Sequence, residues 1–412
     1  MAKFYEMGRK ERLGSVRKAA RLRADEISVF GKPLPFRVVD SMAENVVGML
    51  SIPLGIATNF VINGKERLVP MAIEEPSVIA AASHAAKIAK VRGGFTASTG
   101  QSLMVGQVQV ISVSDPKAAS AKILTKKELI LSKANEKNKT IVATDITVRE
   151  LTDESPNQMG RMLLVEIIVD TKDAMGANAI NSMCESIAPL VAEISGGDTV
   201  LKILSNYATK RLVRCSAVFD KDELGGSRIV ERILHAYALA YSDVYRAVTH
   251  NKGIMNGIDA VALATGQDFR AIEAAAHAYA ARDGRYRSLT KWLKTKDGDL
   301  VGEIELPIAV GIVGGVASVN PTAKISIKIL GATRASELAI CMAAAGLAQN
   351  LAALRALASE GIQKGHMRLH ANNIAVTAGA KGREIELVAS KLAEEGTFTV
   401  QRARQILALM RK

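Results

Sequence analysis

The sequence is poor in aromatic residues and in cysteine. Aromatic residues make up only 4% of its 412 residues, and its three cysteines, Cys184, Cys215 and Cys341, lie far apart. An odd number of cysteines without metal-ligand spacing argues against a disulfide framework and against a zinc site. We therefore expect buried thiols in a reducing compartment and no bound metal.

Apolar runs long enough to cross a bilayer are also lacking. The longest, such as residues 306–319, are interrupted by glycine and proline. Residues 1–23 are charged throughout and have no apolar core of the kind that a secretion signal needs. We expect a soluble, cytoplasmic protein that does not contact a membrane.

The net charge of +13 permits binding to nucleic acid or to a polyphosphate ligand. Lysines recur through residues 117–139, but no aromatic residue is interleaved among them. A stacking platform for single-stranded nucleic acid needs such aromatic residues, so we interpret this segment as a solvated helix face.

Small apolar residues are abundant, and 48% of the chain is hydrophobic, which is typical of a closely packed globular protein. Alternating strand and helix patterns predict an α/β fold with two or three domains.

Asn63-Gly64 predicts the turn of a hairpin. A helix is predicted from Ser77 to Val91, with Pro76 in its first turn, and an amphipathic helical tail from residue 383 onward, with Leu409 among its inward residues.

The densest polar cluster lies between residues 245 and 259. It combines two glycines, Gly253 and Gly257, with cationic, imidazole and amide side chains, namely Arg246, His250, Asn251, Lys252 and Asn256. Such donors beside glycine suit an anionic or carbonyl-bearing ligand, so we predict a functional turn between packed elements. The alternative is a solvated polar loop.

Other segments carry isolated candidate residues. Glu75 stands where a strand meets a helix, either as a dipole partner or as an acid whose pKa is raised by burial. Asp268 is placed to cap the helix that follows it, and Gly176 opens a strand-to-helix turn that could hold a phosphate. His366 and His370 have helical spacing, but Met367 stands where a zinc helix needs glutamate.

Taken together, five motifs resemble those of 3-hydroxy-3-methylglutaryl-coenzyme A (HMG-CoA) reductases, specifically the soluble class II form typical of prokaryotes. The resemblance runs from about residue 44 to residue 380. The motifs are Glu74-Glu-Pro-Ser77, Asp173-Ala-Met-Gly-Ala-Asn178, Thr249-His-Asn-Lys-Gly-Ile-Met-Asn-Gly-Ile258, Ala264-Thr-Gly-Gln-Asp268 and Gly365-His-Met367.

The resemblance implies an α/β (α+β) fold with a large mixed helix/sheet domain, an inserted smaller α/β cofactor domain and a C-terminal helical flap. The large domain would comprise residues 1–99 and 213–375, the dinucleotide-binding domain 100–212 and the flap 376–412. Family members form dimers that share their active sites. Glu75 and Lys252 are therefore expected to meet across a subunit interface rather than within one chain.

The implied reaction reduces HMG-CoA to mevalonate and coenzyme A, using two equivalents of NADPH or NADH. Lys252 matches the lysine that stabilises the oxyanion, His366 the donor that protonates the coenzyme A thiolate, and Glu75 the acid that protonates the alcohol. Asp268 matches the carboxylate that couples Lys252 and Glu75. The residues that match substrate-holding positions are Ser77, Arg246 and Asn256.

The residues that match the cofactor site are Asp173, Met175, Gly176, Asn178, Asn206 and Asn138. Asn138 lies between Lys137 and Lys139, where some NADH-using members carry an acidic residue. The lysines favour the 2′-phosphate of NADPH, and NADH remains the alternative cofactor. Two further departures are a shortened glycine-rich stretch before Asp145 and an asparagine, Asn372, where arginine is common.

Two alternatives stay open at this point. The same enzyme could oxidise mevalonate in catabolism, because the sequence does not set the direction of flux. A nucleic-acid-binding protein on an inactive reductase scaffold is the alternative from a different class, but all four catalytic residue types are retained.

Overall fold

A computed structural model describes residues 3–359 and 371–411 of the chain. The strands are β1 Leu54–Ile62, β2 Lys65–Ala72, β3 Phe95–Thr99, β4 Leu103–Ile111, β5 Val142–Thr152, β6 Arg161–Asp170, β7 Asp198–Ser205, β8 Leu212–Phe219, β9 Thr290–Lys294 and β10 Leu300–Pro307. The helices are α1 Arg9–Ala19, α2 Ala24–Ser28, α3 Phe36–Asp40, α4 Val78–Val91, α5 Pro116–Thr125, α6 Lys127–Asn135, α7 Ala177–Ser195, α8 Lys221–Leu224, α9 Ser227–Ser242, α10 Val244–Ala264, α11 Phe269–Ala280, α12 Gly315–Val319, α13 Pro321–Leu330, α14 Ala335–Ala358, α15 Arg383–Glu395 and α16 Val400–Met410. Residues 371–377 are also helical.

Six strands form a large sheet in the order β2-β1-β3-β8-β10-β9. The β1–β2 hairpin turns at Asn63 and Gly64, which have φ angles of 49° and 74°. Two consecutive positive φ angles are the signature of a tight hairpin turn whose twist matches that of its strands. The predicted hairpin is therefore confirmed.

Four strands form a small sheet in the order β5-β6-β4-β7, and its neighbouring strands are all antiparallel. The small sheet lies between β3 and β8 in sequence, and α5, α6 and α7 pack on it. Met104, Ile167 and Ile180 are among the residues of a separate hydrophobic core between these helices and the sheet. Such a core is what an inserted domain requires, although the exact domain boundaries stay a prediction.

The core of the large sheet depends on close packing between α10 and α14. A Cβ added to Gly257 would lie 2.6 Å from the carbonyl oxygen of Ala345, and one added to Gly346 would lie 2.8 Å from Ile258 Cγ1. Among the described residues, α14 is the one helix long and apolar enough to cross a membrane, but 78% of its most apolar window is buried inside the fold. It is packed as a core helix of the large sheet.

The structure corrects the predicted turn at residues 245–259, because the whole cluster lies inside α10. Asp243 caps this helix by accepting a hydrogen bond from the backbone N–H of Arg246 at 2.7 Å. Gly257 allows the backbone of α14 to pack closely against α10. Neither Gly253 nor Gly257 has a positive φ. A glycine that permits helix packing cannot be distinguished by sequence alone from one that permits a turn.

Two smaller expectations are wrong as well. Ser77 is the N-cap of α4, so Pro76 precedes the helix instead of lying in its first turn. In the C-terminal tail, Val388, Leu392 and Ile406 are buried as predicted, but Leu409 is 65% exposed.

The three cysteines are free and buried, as the sequence predicted. Burial raises the pKa of Cys184 and of Cys341 to about 12, and it raises the pKa of Cys215 as well. These thiols are therefore protonated and poor nucleophiles at neutral pH.

Candidate active site

Lys252 and Glu75 form an ion pair at the surface of the large sheet. Lys252 projects from α10, Glu75 lies between β2 and α4, and Lys252 Nζ is 3.2 Å from Glu75 Oε2. The expectation that the two residues meet across a subunit interface is corrected, since they meet within a single chain. The side chain of Lys252 is 62% exposed and that of Glu75 34%, so a ligand can reach both groups from solvent.

Ser77 lies two residues after Glu75 and has an unusual backbone. Its φ angle is 77°, in the left-handed region, and its hydroxyl donates to the carbonyl of Pro76. A non-glycine residue in this region costs about 1–2 kcal/mol. Strain of this kind concentrates at functional sites, which agrees with the location of Ser77 beside the Lys252–Glu75 pair.

One face of α10 presents the remaining candidate substrate-binding residues. Arg246, Thr249, Lys252 and Asn256 follow one another at intervals of three or four residues, so their side chains share this face. Arg246 is half-buried, and burial lowers the pKa of its guanidinium. Within the described part of the chain no carboxylate forms an ion pair with Arg246, which leaves its donors available to an anionic ligand.

The opposite face of α10 is structural. His250 is buried, and its Nε2 lies 2.8 Å from Thr290 Oγ1. Burial, with a smaller effect from Arg246, lowers the pKa of His250 to about 3, so its imidazole is neutral. Asn251 donates to the carbonyl of Arg287 and accepts from the N–H of Leu289. These contacts give His250 a structural hydrogen-bonding role.

Asp268 is the N-cap of α11, as predicted, and its Oδ1 accepts a hydrogen bond from the N–H of Ala271 at 3.1 Å. The same oxygen lies 3.6 Å from Arg270 Nη2. Between residues 3–359, no Asp268 oxygen forms an ion pair with Lys252. The structure thus places Asp268 at a helix start, and its coupling to Lys252 and Glu75 stays a prediction.

His366 and His370 lie outside the described residues, so the role assigned to His366 also stays a prediction. In the described ranges, no group of three or more histidine, cysteine, aspartate or glutamate side chains is arranged to hold a metal ion.

The segment between β6 and α7 forms the turn predicted to bind a dinucleotide, and we call residues 171–178 the dinucleotide turn. Gly176 is the N-cap of α7 with a φ of 95°, and a Cβ there would overlap Thr171 Cγ2. A Cβ at Gly311 would lie 2.5 Å from the backbone nitrogen of Met175. Asp173 Oδ1 accepts from the N–H of Ala335 at 2.8 Å. Gly176 is thus required by its positive φ and by the side chain of Thr171, and Gly311 by its close approach to the backbone of the turn.

The other predicted cofactor residues reach the same edge of the small sheet. Leu103 and Val142, near the starts of β4 and β5, both pair with Asp170 at the end of β6, and Val105 pairs with Ser205 at the end of β7. This register brings the turn before β5 and the end of β7 to the edge that carries the dinucleotide turn. These two segments contain Asn138 and Asn206, respectively. The sequence did not show that the six residues share one edge.

Asn138 has a local structural role as well. Its Oδ1 accepts from the N–H groups of Thr140 and Ile141, at 3.1 and 3.0 Å, which stabilises the turn between α6 and β5. Its neighbours Lys137 and Lys139 are exposed. In this turn the two exposed lysines are available to an anion.

Two further residues connect the dinucleotide turn to the candidate catalytic residues. Gln267 Oε1 accepts from the N–H of Gly311 at 2.9 Å, and Arg211 donates to Thr171 and Ala174 of the dinucleotide turn. Gln267 belongs to the motif at 264–268, in which the resemblance implies a role only for Asp268. For Arg211 no local signal exists, because its partners lie about 40 residues or more away in sequence.

Comparisons with known proteins show the family to which the chain belongs. A sequence model of the family described as "Hydroxymethylglutaryl-coenzyme A reductase" matches residues 8–371. The chain is 52% identical to the 3-hydroxy-3-methylglutaryl-coenzyme A reductase of Archaeoglobus fulgidus, over 99% of this chain and 94% of that protein. It is 41% identical to the probable enzyme of Borreliella burgdorferi, over 81% of this chain and 77% of that protein.

The fold is similar to that of a solved class II reductase. The structure from Streptococcus pneumoniae, bound to NADPH in open conformations, superposes with a TM-score of 0.82 at 42% identity, over 98% of this chain and all of that chain. The predicted mixed helix/sheet fold and the resemblance to class II reductases are confirmed. The chain belongs to the hydroxymethylglutaryl-coenzyme A reductase family and is an NAD(P)H-dependent oxidoreductase of the mevalonate pathway.

Proposed function

We propose that the Lys252–Glu75 pair is the centre at which this reductase converts HMG-CoA to mevalonate and coenzyme A. The observation that carries the proposal is the 3.2 Å contact between a solvent-accessible ammonium and a carboxylate that lie 177 residues apart in sequence. Ser77, Arg246 and Asn256 surround the pair or share the helix face of Lys252. Arg246 suits the free carboxylate of the substrate, because its guanidinium can donate two parallel hydrogen bonds.

The reaction places negative charge on the thioester oxygen, and Lys252 is positioned to stabilise that charge. Bound NAD(P)H supplies the two hydrides. A compact ammonium that is covered by substrate stabilises an oxyanion far better than one in bulk water. Collapse of the hemithioacetal releases the coenzyme A thiolate, for which His366 is the proposed proton donor. Glu75, once it has taken up a proton from solvent, then protonates the alcohol oxygen formed by the second hydride, with Asp268 assisting the pair.

The dinucleotide turn fits the pyrophosphate of NAD(P)H. The first N–H groups of α7 have no side-chain cap, so they are available to an anion. We propose Asp173, Met175, Gly176 and Asn178 as the turn's binding residues, with Asn206 and the Asn138 turn beside it. Exposed Lys137 and Lys139 favour NADPH, the cofactor bound in the Streptococcus pneumoniae structure.

We also propose a cytoplasmic homodimer, or a higher assembly of dimers, that engages neither membrane nor nucleic acid. Support comes from large apolar side chains at the surface of the single chain: Val47 is 99% exposed, Leu50 92% and Tyr245 88%. Exposed apolar residues grouped closely in the chain, as at residues 47–50, are typical of protein interfaces. The proposed large domain comprises 1–99 and 213–375, the small domain 100–212 and the flap 376–412.

The test of the activity follows the absorbance of reduced nicotinamide after HMG-CoA is added, with NADPH and NADH in turn. We expect HMG-CoA to be reduced with either cofactor, and the KM for NADPH to be lower than the KM for NADH. No oxidation of either cofactor, across varied salt and temperature, would contradict the proposal.

The role of His366 is tested with the free aldehyde. The His366→Gln variant should lose thioester reduction and keep reduction of mevaldehyde, because the second step releases no thiolate. Equal loss of both half-reactions would contradict the assignment of His366 as the thiolate's proton donor.

A further inference from the structure

We propose that Arg211 is a positioning residue whose buried guanidinium fixes the dinucleotide turn against the segment after β10, which in turn is hydrogen-bonded to the residue before Asp268. This inference rests on the proposed function, since it concerns the geometry between the cofactor turn and the catalytic carboxylate. Among the described residues, Arg211 forms no hydrogen bond with the proposed substrate-binding residues; its partners are Thr171, Ala174 and Val310.

Arg211 lies just before β8 and is only 6% exposed. Its Nη1 donates to Thr171 Oγ1 and to the carbonyl oxygen of Ala174, both at 3.1 Å. Its Nη2 donates to the carbonyl oxygen of Val310. One planar group therefore joins the small-sheet turn to the chain that leaves β10.

Further contacts extend this connection to the catalytic side. The N–H of Ile312 donates to the carbonyl of Asp173 at 2.9 Å, and Ala174 forms an isolated bridge with Val313. The N–H of Gly311, next to Val310, donates to Gln267 Oε1. Gln267 immediately precedes Asp268, so two hydrogen bonds and the intervening peptide links connect Arg211 to Asp268.

The chemistry of the site explains why an arginine is needed. Its three acceptors are neutral oxygens on two sides, and a guanidinium presents donors in a fixed fork that reaches both sides at once. Burial lowers the pKa of Arg211 to about 10, against the effects of Asp173 and Asp170, so the group is charged at neutral pH. A lysine would keep the charge but donate from a single point.

A purely structural role would stabilise the fold without affecting the cofactor. Arg92 provides a matched control, because its Nη2 lies 2.9 Å from both Asp220 and Asp299. These carboxylates adjoin the ends of β8 and β10 where Phe219 pairs with Leu300, and Arg211 lies at the opposite end, where Leu212 pairs with Pro307. Loss of either arginine removes a multivalent link between elements, but only Arg211 contacts the dinucleotide turn.

The experiment compares Arg211→Met, Arg211→Lys and Arg92→Met in the full-length enzyme, with NADPH as the cofactor. Because the lost hydrogen bonds come from a charged group and hold the cofactor turn in place, we expect Arg211→Met to raise the KM for NADPH by about tenfold or more and to lower kcat. Arg211→Lys should recover part of this loss. Arg92→Met should lower Tm while leaving the KM for NADPH unchanged, and the KM for HMG-CoA should change little in every variant.

If Arg211→Met does not fold, Thr171→Val is the second test of the positioning role. It removes one acceptor of Arg211 while keeping the shape of the side chain. It should raise the KM for NADPH by a smaller factor. If the Arg211 and Thr171 variants lower Tm as Arg92→Met does and leave the kinetic constants for NADPH unchanged, the positioning role is wrong.

Asn178→Asp separates this inference from the proposed function. Asn178 is exposed in the first turn of α7, where a carboxylate favours the helix but repels a bound phosphate. If Asn178→Asp raises the KM for NADPH and the Arg211 variants do not, only the positioning role fails. If none of these variants changes that KM, the turn is not the cofactor site and the proposed site fails as well.

Discussion

Replacement of Lys252 by alanine tests the centre of the proposed site most directly. The substitution removes the ammonium that lies 3.2 Å from Glu75 and leaves the other residues of the same α10 face unchanged. Because the side chain is 62% exposed and lies on the outer face of the helix, its loss should leave the core packing of α10 intact. We therefore expect a folded enzyme that lacks one charge.

The magnitude follows from the charge that Lys252 faces during hydride transfer. An ammonium about 3 Å from an oxyanion contributes about 1.4 kcal/mol in water and about 5.5 kcal/mol at an effective dielectric constant of about 20. Bound substrate covers the exposed ammonium, so the value should lie toward the upper limit. Since each 1.36 kcal/mol is tenfold in rate, kcat should fall by about 10²-fold to 10⁴-fold.

The assay measures single-turnover rates and the Kd for HMG-CoA in the wild type, in Lys252→Ala and in Lys291→Ala. Lys291 is a matched surface control, since it is 59% exposed and lies 3.8 Å from Glu303 in the large sheet. Lys291→Ala should be fully active. A Lys252→Ala enzyme whose rate stays within about threefold of the wild type would refute the proposed role of the ammonium in transition-state stabilisation.

Three other predictions concern charge and burial. Replacing Lys137 and Lys139 together by glutamate should raise the KM for NADPH severalfold and that for NADH less, because only NADPH carries the 2′-phosphate; equal changes would contradict the specificity assigned to them. The pKa of His250 is about 3 in the folded chain against 6.5 when unfolded, so the unfolded state takes up the proton and stability falls as pH decreases below about 6.5. The free energy of unfolding, measured with urea, should change less steeply with pH in His250→Gln than in the wild type, and the two slopes should differ by up to about 1.4 kcal/mol per pH unit. Equal slopes would contradict a neutral buried imidazole. Cys184 and Cys341 should resist alkylation at mildly alkaline pH until denaturant is added, and rapid labelling of the folded protein, followed by mass spectrometry, would contradict their burial.

Local sequence signals predicted the structure correctly wherever the stabilising interaction joins residues that are close together in the sequence. Asn63-Gly64 predicts its hairpin turn because few other residues tolerate two positive φ angles. Asp268 predicts the start of α11 because its carboxylate can reach an N–H only three residues ahead. The buried cysteines followed from their apolar neighbours.

The same local signals were misleading around residues 245–259. Two glycines in a polar segment predicted a turn, whereas Gly257 is required by the backbone of α14 at Ala345. The helix forms because packing against α14 outweighs the low helix propensity of glycine, and that packing depends on a segment far away in sequence.

By itself, the sequence determined the family and the fold class and predicted the residues of the active site, because motifs and helix caps depend on short stretches of chain. Tertiary structure alone decided that Lys252 meets Glu75 within one chain and that the predicted cofactor residues share one sheet edge. It also decided that Arg211 joins the dinucleotide turn to the segment beside Asp268, through partners 37 to 99 residues away. Contacts of this kind depend on strand register and helix packing, which no short stretch of sequence encodes.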